Sequence, residues 1–389
     1  MLGIVRKRLS ESSNLTRSYD WLQERLWLAS SWPRYLGRRL FCVPQKVQSM
    51  LIIRVSGIGD IILTTPVVKK LRGRYPDAKI TYLTLKAMRP ILEFNPCIDY
   101  LLTEDDEDKI IKQNYDWVIN LQLFDNSTFV KDIIQRLKYK RISGSIVDKN
   151  GRYYEATNYR YYFSNWMESL MRGAIGIPFS AADTEKVEIY IPENRRNRQR
   201  DLCTKFGIGD GTFVGLNLGS QDKTFWYRDH SLDYLEKLIR HLYTKYNIIL
   251  VGQSKNLSPD EHNQLTKLNK VFPKIINLVD KLTLEELLLV IEKCSVFISS
   301  DSGPAHISMA VKTPAILLFG ADSGKRIISP RKRGEIYSII NSDCECSPCK
   351  PWRAKQACIA NKRAQCMETI PVERILNEIE YFLKKAVKQ

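Results

Sequence analysis

The sequence predicts an α/β protein built from two successive doubly wound domains, each a parallel sheet with crossover helices. Short apolar runs rich in β-branched residues recur along the chain, which is how strands buried on both faces look. Helically spaced segments lie between them, so strand and helix alternate. The alternation pauses near Ile177-Pro178 and Ile191-Pro192 and then restarts, and a chain of 389 residues exceeds one ordinary core.

Residues 1–48 form a basic extension with nine Lys or Arg against three acidic residues, together with Trp21, Trp27, Trp32, Tyr19 and Tyr35. Leu22, Leu26 and Ala29 are helically spaced until Pro33. Such a segment suits either a helix lying on an anionic membrane face or packing on its own domain.

The first domain is expected over 49–190. It opens with Leu51-Ile52-Ile53-Arg54-Val55, a buried strand, followed by a turn at Ser56-Gly57-Ile58-Gly59-Asp60 and a helix through Ile61, Leu63, Val67, Val68 and Leu71. The turn lacks the third glycine of a dinucleotide fingerprint, since Ile62 stands there. It places Asp60 at the carboxyl edge of the strand, where open α/β sheets bind ligands. Asp60 reads either as the cap of the helix or as an exposed base. Lys79–Thr84, Ile98–Leu102 and Asp116–Leu121 are the next strands. The aromatic stretch Tyr153, Tyr154, Tyr159, Tyr161, Tyr162, Phe163, Trp166 suits a sugar-stacking wall or a core cluster.

The second domain is expected over 191–370, with its first helix at Arg195, Arg196, Arg198 and Arg200 and strands at Phe213–Gly219, Asn247–Gly252, Val296–Ser300 and Pro314–Gly320. After the third of these comes Asp301-Ser302-Gly303-Pro304-Ala305-His306. Gly303-Pro304 opens a helix, proline being suited to a first turn, and the amides there can hold a phosphate. Asp301 can accept hydrogen bonds from sugar hydroxyls, or serve as a capping turn, and His306 suits a structural place on the inner helix face. Lys223, just past a strand end, can reach a diphosphate as a point charge, though most lysines are solvated. A final helix over 371–389 has no strand after it and is expected to cross back to the first domain.

The formal charge of +17 favours anionic partners without choosing among them. No zinc-finger, RNP or helix-turn-helix pattern accompanies it, so no nucleic-acid partner is expected. No apolar run is long enough to cross a bilayer and no h-region follows Arg6, Lys7 and Arg8, so a cytoplasmic location is expected. Of nine cysteines, five crowd into Cys344, Cys346, Cys349, Cys358 and Cys366. In a reducing compartment that spacing suits a structural zinc or iron on Cys346, Cys349, Cys358 and Cys366, or a set of free thiols.

Taken together, these residues resemble glycosyltransferase family 9, the heptosyltransferases of bacterial lipopolysaccharide core assembly. The resemblance rests on Gly57-Ile58-Gly59-Asp60 with Thr65-Pro66, on Lys223 with Trp226, and on Asp301-Ser302-Gly303-Pro304-Ala305-His306 followed by Thr313-Pro314 and Phe319-Gly320. It implies a GT-B fold, two Rossmann-like domains facing a cleft, with the acceptor on the first and ADP-heptose on the second. It likewise implies Asp60 as general base, with Ser56, Gly57 and Gly59 as the loop beside the acceptor. Lys223, Thr224, Asp301, Ser302, Gly303 and His306 become donor-binding residues. The family usually reads Lys-x-Trp-Pro, whereas Lys223-Thr224-Phe225-Trp226-Tyr227 has an added residue and no proline. Metal-independent, inverting transfer is implied, with no cofactor for catalysis. Some protein-modifying relatives bind iron, in keeping with the cysteine cluster. The implied partner is a phosphorylated, lipid-linked acceptor at the inner membrane face, with the enzyme peripheral there. Other readings are transfer to another glycan or to a protein, and a non-catalytic GT-B module that binds glycolipid or a partner.

Overall fold

The structure is a computed structural model, and it describes residues 44–122, 128–144, 146–147, 153–154, 187–219, 228, 230–255, 257–322, 324, 336–347 and 365–386. Most of the basic extension, most of the aromatic stretch after Tyr154, and Ile177-Pro178 lie outside them.

The first half runs β1 (Ser49–Ile53), α1 (Ile58–Arg74), β2 (Lys79–Leu83), α2 (Arg89–Leu92), β3 (Tyr100–Leu102), α3 (Glu107–Lys112), β4 (Asn114–Asn120), α4 (Thr128–Arg136) and β5 (Lys138–Gly144), with a short antiparallel pair β6 (Ile146–Val147) and β7 (Tyr153–Tyr154). Its sheet has the order β3-β2-β1-β4-β5 with every pair parallel. The second half runs α5 (Glu193–Phe206), β8 (Phe213–Asn217), α6 (Leu232–Leu242), β9 (Asn247–Val251), α7 (Pro259–Val271), β10 (Ile276–Asn277), α8 (Leu284–Lys293), β11 (Val296–Ser300), α9 (Gly303–Ala310), β12 (Ala315–Phe319), β13 (Tyr337–Asn341), α10 (Gln365–Glu368) and α11 (Val372–Ala386). This sheet is ordered β10-β9-β8-β11-β12-β13, again all parallel.

In each sheet the chain winds outward one way from its first strand and then returns to wind the other way. The reversals fall between β1 and β4 and between β8 and β11, the crevices where open α/β sheets take ligands. Apolar runs explain the strands: all five residues of β8, β11 and β12 are buried. Capping chemistry starts α6, α7 and α8, with Ser231, Ser258 and Thr283 each accepting from a first-turn amide. Pro66 sits inside α1 and removes one helical donor, and Thr65 Oγ1 donates to the carbonyl of Ile62 (2.8 Å) that the proline leaves without its amide.

The two halves share a core. One apolar cluster includes Val67, Val68 and Leu71 from α1, Val187 and Ile189 from the connecting segment, and Ile291, Ile307 and Met309 from the second half. The connecting segment is bonded to both sides: the Glu188 amide donates to Thr65 Oγ1 (3.1 Å) and the Ile189 amide to the Ala310 carbonyl (3.2 Å). Glu188 pairs with Lys69 (2.8 Å) and lies 3.6 Å from Lys312. Arg195, in the expected first helix of the second domain, is fully buried. Its guanidinium reaches Pro90 O (2.9 Å), Glu93 (3.3 Å) and Glu285 (3.0 Å) and stacks over Phe94.

The terminal helix corrects one expectation. Val372, Ile375, Ile379 and Phe382 of α11 are buried in the second core with Val214, Leu216 and Ile298, and the helix packs on β11, β12 and β13. Among the described residues its buried face therefore lies against the second sheet and not the first.

Candidate active site

Asp60 leaves β1 through the Gly57 turn, and its surroundings decide what it can do. Gly57, not Asp60, is the N-cap of α1, and Asp60 is the third residue of the helix, within its first turn, which corrects the capping reading. Its carboxylate accepts from Ser56 Oγ and pairs with Arg54 Nη2 at 3.1 Å. The Arg54 side chain is only 3% exposed while that of Asp60 is 35% exposed, so a buried cation holds a carboxylate whose outer side stays open. Arg54 is itself fixed by donating to the Leu121 carbonyl at the end of β4. Gln122 staples the same crevice, its Oε1 accepting from the Val55 amide (3.1 Å) and its Nε2 donating to the Val55 carbonyl (2.8 Å). Sequence reasoning passed over Arg54. The available signal was a guanidinium inside an otherwise apolar strand, which is costly unless a partner awaits it.

Across the molecule, Asp301 follows β11 and is 4% exposed in its side chain. One oxygen lies 3.6 Å from His306 Nε2 and the other 3.2 Å from Arg228 Nη1. Burial pushes the Asp301 carboxyl up, but the Arg228 charge and the His306 hydrogen bond outweigh it and hold the group below the ordinary carboxylate value. Asn217 Nδ2, at the end of β8, donates to Ser299 Oγ (3.2 Å) and Ser302 Oγ (3.0 Å). Buried Asn217 Oδ1, Ser300 Oγ and His306 Nδ1 have no hydrogen-bond partner among the described residues. Such a concentration of unsatisfied polar atoms marks a ligand site.

The two loops meet because both helices begin with glycine at the contact. A Cβ on Gly59 would lie 2.5 Å from His306 Cδ2, and one on Gly303 would lie 3.0 Å from Ile58. The first turns of α1 and α9 therefore abut, and their N-terminal dipoles favour an anion beside them. The structure thus brings together Ser56, Gly57, Gly59 and Asp60 with Asp301, Ser302, Gly303 and His306. His306 is buried against Gly59. Lys223 and Thr224 lie outside the described residues, as do Cys349 and Cys358. Cys344 and Cys346 have their sulfurs 3.4 Å apart, and Cys366 is buried beside Gly320. No described helix is long and apolar enough to cross a membrane.

The profile of glycosyltransferase family 9 (heptosyltransferase) matches residues 108–360. Lipopolysaccharide heptosyltransferase 3 of Escherichia coli is 27% identical over 292 residues, which cover 68% of this chain and 81% of that protein. A glycosyltransferase of family 9 from Veillonella parvula superposes with a TM-score of 0.66 at 16% identity, covering 88% of this chain and 99% of that one. The dodecameric iron-containing heptosyltransferase TibC, solved in complex with ADP-D-beta-D-heptose, superposes with a TM-score of 0.55 at 12% identity, covering 88% of this chain and 78% of that one. The fold is GT-B, and the chain belongs to glycosyltransferase family 9, the heptosyltransferases.

Proposed function

We propose that this chain transfers a heptosyl group, with inversion, from ADP-heptose to a lipopolysaccharide core or related anionic glycolipid, with Asp60 as the base. The observation that carries the reading is the abutment of the Asp60 turn and the Ser302-Gly303 turn through Gly59 and His306. An acceptor on the first half and a sugar nucleotide on the second would then share one crevice.

In the reaction, the acceptor oxygen attacks the anomeric carbon from the face opposite the diphosphate. The bond from that carbon to the phosphate oxygen breaks, its electron pair leaves with ADP, and the hydroxyl proton passes to Asp60. Arg54 and Ser56 hold the carboxylate in one orientation while its open side faces the acceptor. Ser56, Gly57 and Gly59 line the acceptor side. Lys223, Thr224, Asp301, Ser302, Gly303 and His306 form the donor side, where fixed positive groups and helix amides stabilise the departing diphosphate. The division runs at 49–190 for the acceptor domain and 191–370 for the nucleotide-sugar domain, with 1–48 preceding them and 371–389 following.

Family membership brings no cofactor requirement for catalysis. The cysteine cluster suits a structural zinc or iron on Cys346, Cys349, Cys358 and Cys366. The 3.4 Å between the sulfurs of Cys344 and Cys346 is close to the spacing of two thiolates on one tetrahedral metal, so Cys344 belongs in the candidate set. Residues 1–48, basic and aromatic, suit peripheral attachment at the inner face of the cytoplasmic membrane.

Incubation with ADP-heptose and heptose-deficient lipopolysaccharide core tests the reading. The expected result is one ADP released per glycolipid made heavier by one heptose. Tight ADP binding with no turnover on any glycolipid would favour a binding module instead, and turnover on a protein alone would move the acceptor class.

A further inference from the structure

One cation of the second half stands directly against Asp301. Arg228 lies in the turn just before Ser231, which caps α6, and it follows the stretch where the Lys-x-Trp-Pro pattern is broken. Its Nη1 lies 3.2 Å from Oδ2 of Asp301, the residue that follows β11. β11 flanks the reversal point of the second sheet, so the ion pair stands at the edge where a ligand is expected.

The arrangement has a direction. The Asp301 carboxylate is 4% exposed and the Arg228 side chain 24%, so the anion lies behind and the cation in front. An unmasked carboxylate there would repel a diphosphate. With Arg228 over it, the crevice presents positive charge next to the α9 amides and next to Asn217, Ser300 and His306, whose unsatisfied atoms already mark the place. A guanidinium is planar and matches phosphate oxygens in pairs.

We propose that Arg228 is a donor-binding residue, the guanidinium that meets the diphosphate of the sugar nucleotide, and that Asp301 is the positioning residue that holds it there. The assignment rests on the donor reading above and goes beyond it. It makes Asp301 act through a cation, and it supplies a fixed positive group from a residue that follows, in the sequence, the interrupted Lys-x-Trp-Pro pattern. As the anomeric carbon–oxygen bond breaks, the charge gathering on the leaving diphosphate falls beside Arg228.

Calorimetric titration with ADP, and with adenosine as a probe lacking phosphate, tests this. Arg228→Gln should weaken ADP binding by about 10- to 100-fold, the effect of one charged hydrogen bond or a pair, and leave adenosine binding unchanged. Because that variant strands a buried carboxylate, Arg228→Gln/Asp301→Asn, which removes both charges, should fold and show the same selective loss. Arg228→Lys keeps the ion pair and should lose several-fold less. Wild-type ADP affinity in the folded double variant, or an equal loss for adenosine, would overturn the assignment of Arg228 while leaving the donor site standing. A wild-type protein that binds neither probe would overturn the donor reading itself.

Discussion

The imidazole of His306 rests against the α-carbon of Gly59, with Cδ2 only 2.5 Å from where a Cβ would be. His306 belongs to the helix that follows Asp301 and Gly59 immediately precedes Asp60, so one contact sets the distance between the proposed donor loop and the proposed base. Gly59→Ala must push the two helices apart or displace the ring. Overpacking of this kind costs about 1–3 kcal/mol. Gly59→Ala should therefore lower both melting temperature and transfer rate. His306→Ala in the same chain should restore stability more than the two single changes predict, which a double-mutant cycle in denaturant checks.

Arg54 is the second test. Replacing it with Met removes the donor to the Leu121 carbonyl and leaves Asp60 held by Ser56 alone. The expected loss is about 2 kcal/mol of stability, together with a fall in kcat at unchanged ADP affinity. Arg54→Lys keeps the charge but not the fork, and should recover part of kcat. Steady-state kinetics beside ADP titration separates these effects.

Arg195 joins the halves away from the chemistry. Its partners Glu93 and Glu285 come from opposite sides of the connecting segment, and Pro90 and Phe94 complete the socket. Arg195→Met should cost about 2 kcal/mol, because it leaves both carboxylates without their buried partner yet still partly reached by water. Urea unfolding measures the loss, and the intrinsic affinity for ADP should stay near wild type.

The acid limit of stability should have two stages. His230 is half-buried, and the loss of solvent around it, the largest influence on it, holds its imidazole below the ordinary value. The unfolded chain then binds a proton that the folded chain refuses, so stability falls as pH drops below about 6.5. His230→Gln should flatten that stage. Asp301 is held below the ordinary carboxylate value by Arg228 and His306 in spite of its burial, so its contribution is present above about pH 3.9 and is lost as pH falls through the lower folded value. Melting temperature against pH for wild type, His230→Gln and Asp301→Asn checks both.

What the sequence revealed, and what it hid, follows the range of the physics. Leu51–Val55 and Val296–Ser300 are apolar runs ended by turn residues, so their strands and the edge where ligands bind could be read locally. β5 escaped notice because Lys138, Tyr139 and Lys140 are exposed, as suits an edge strand that must not pair further. The direction of α11 was misjudged because helical spacing shows that a face is apolar without showing which sheet covers it. Asp301 was recognisable as part of a site. Its partner Arg228 was not, since the pairing is made by strand order and not by proximity in the chain. The buried Arg195 was hidden in a run of arginines in the same way.

The most direct test is the single-turnover rate of heptosyl transfer from saturating ADP-heptose by Asp60→Asn. A general base contributes about 10²–10⁴-fold, so the rate should fall by that factor while ADP binds as tightly as to the wild type. A variant that binds ADP normally and transfers at the wild-type rate would contradict the account at its centre.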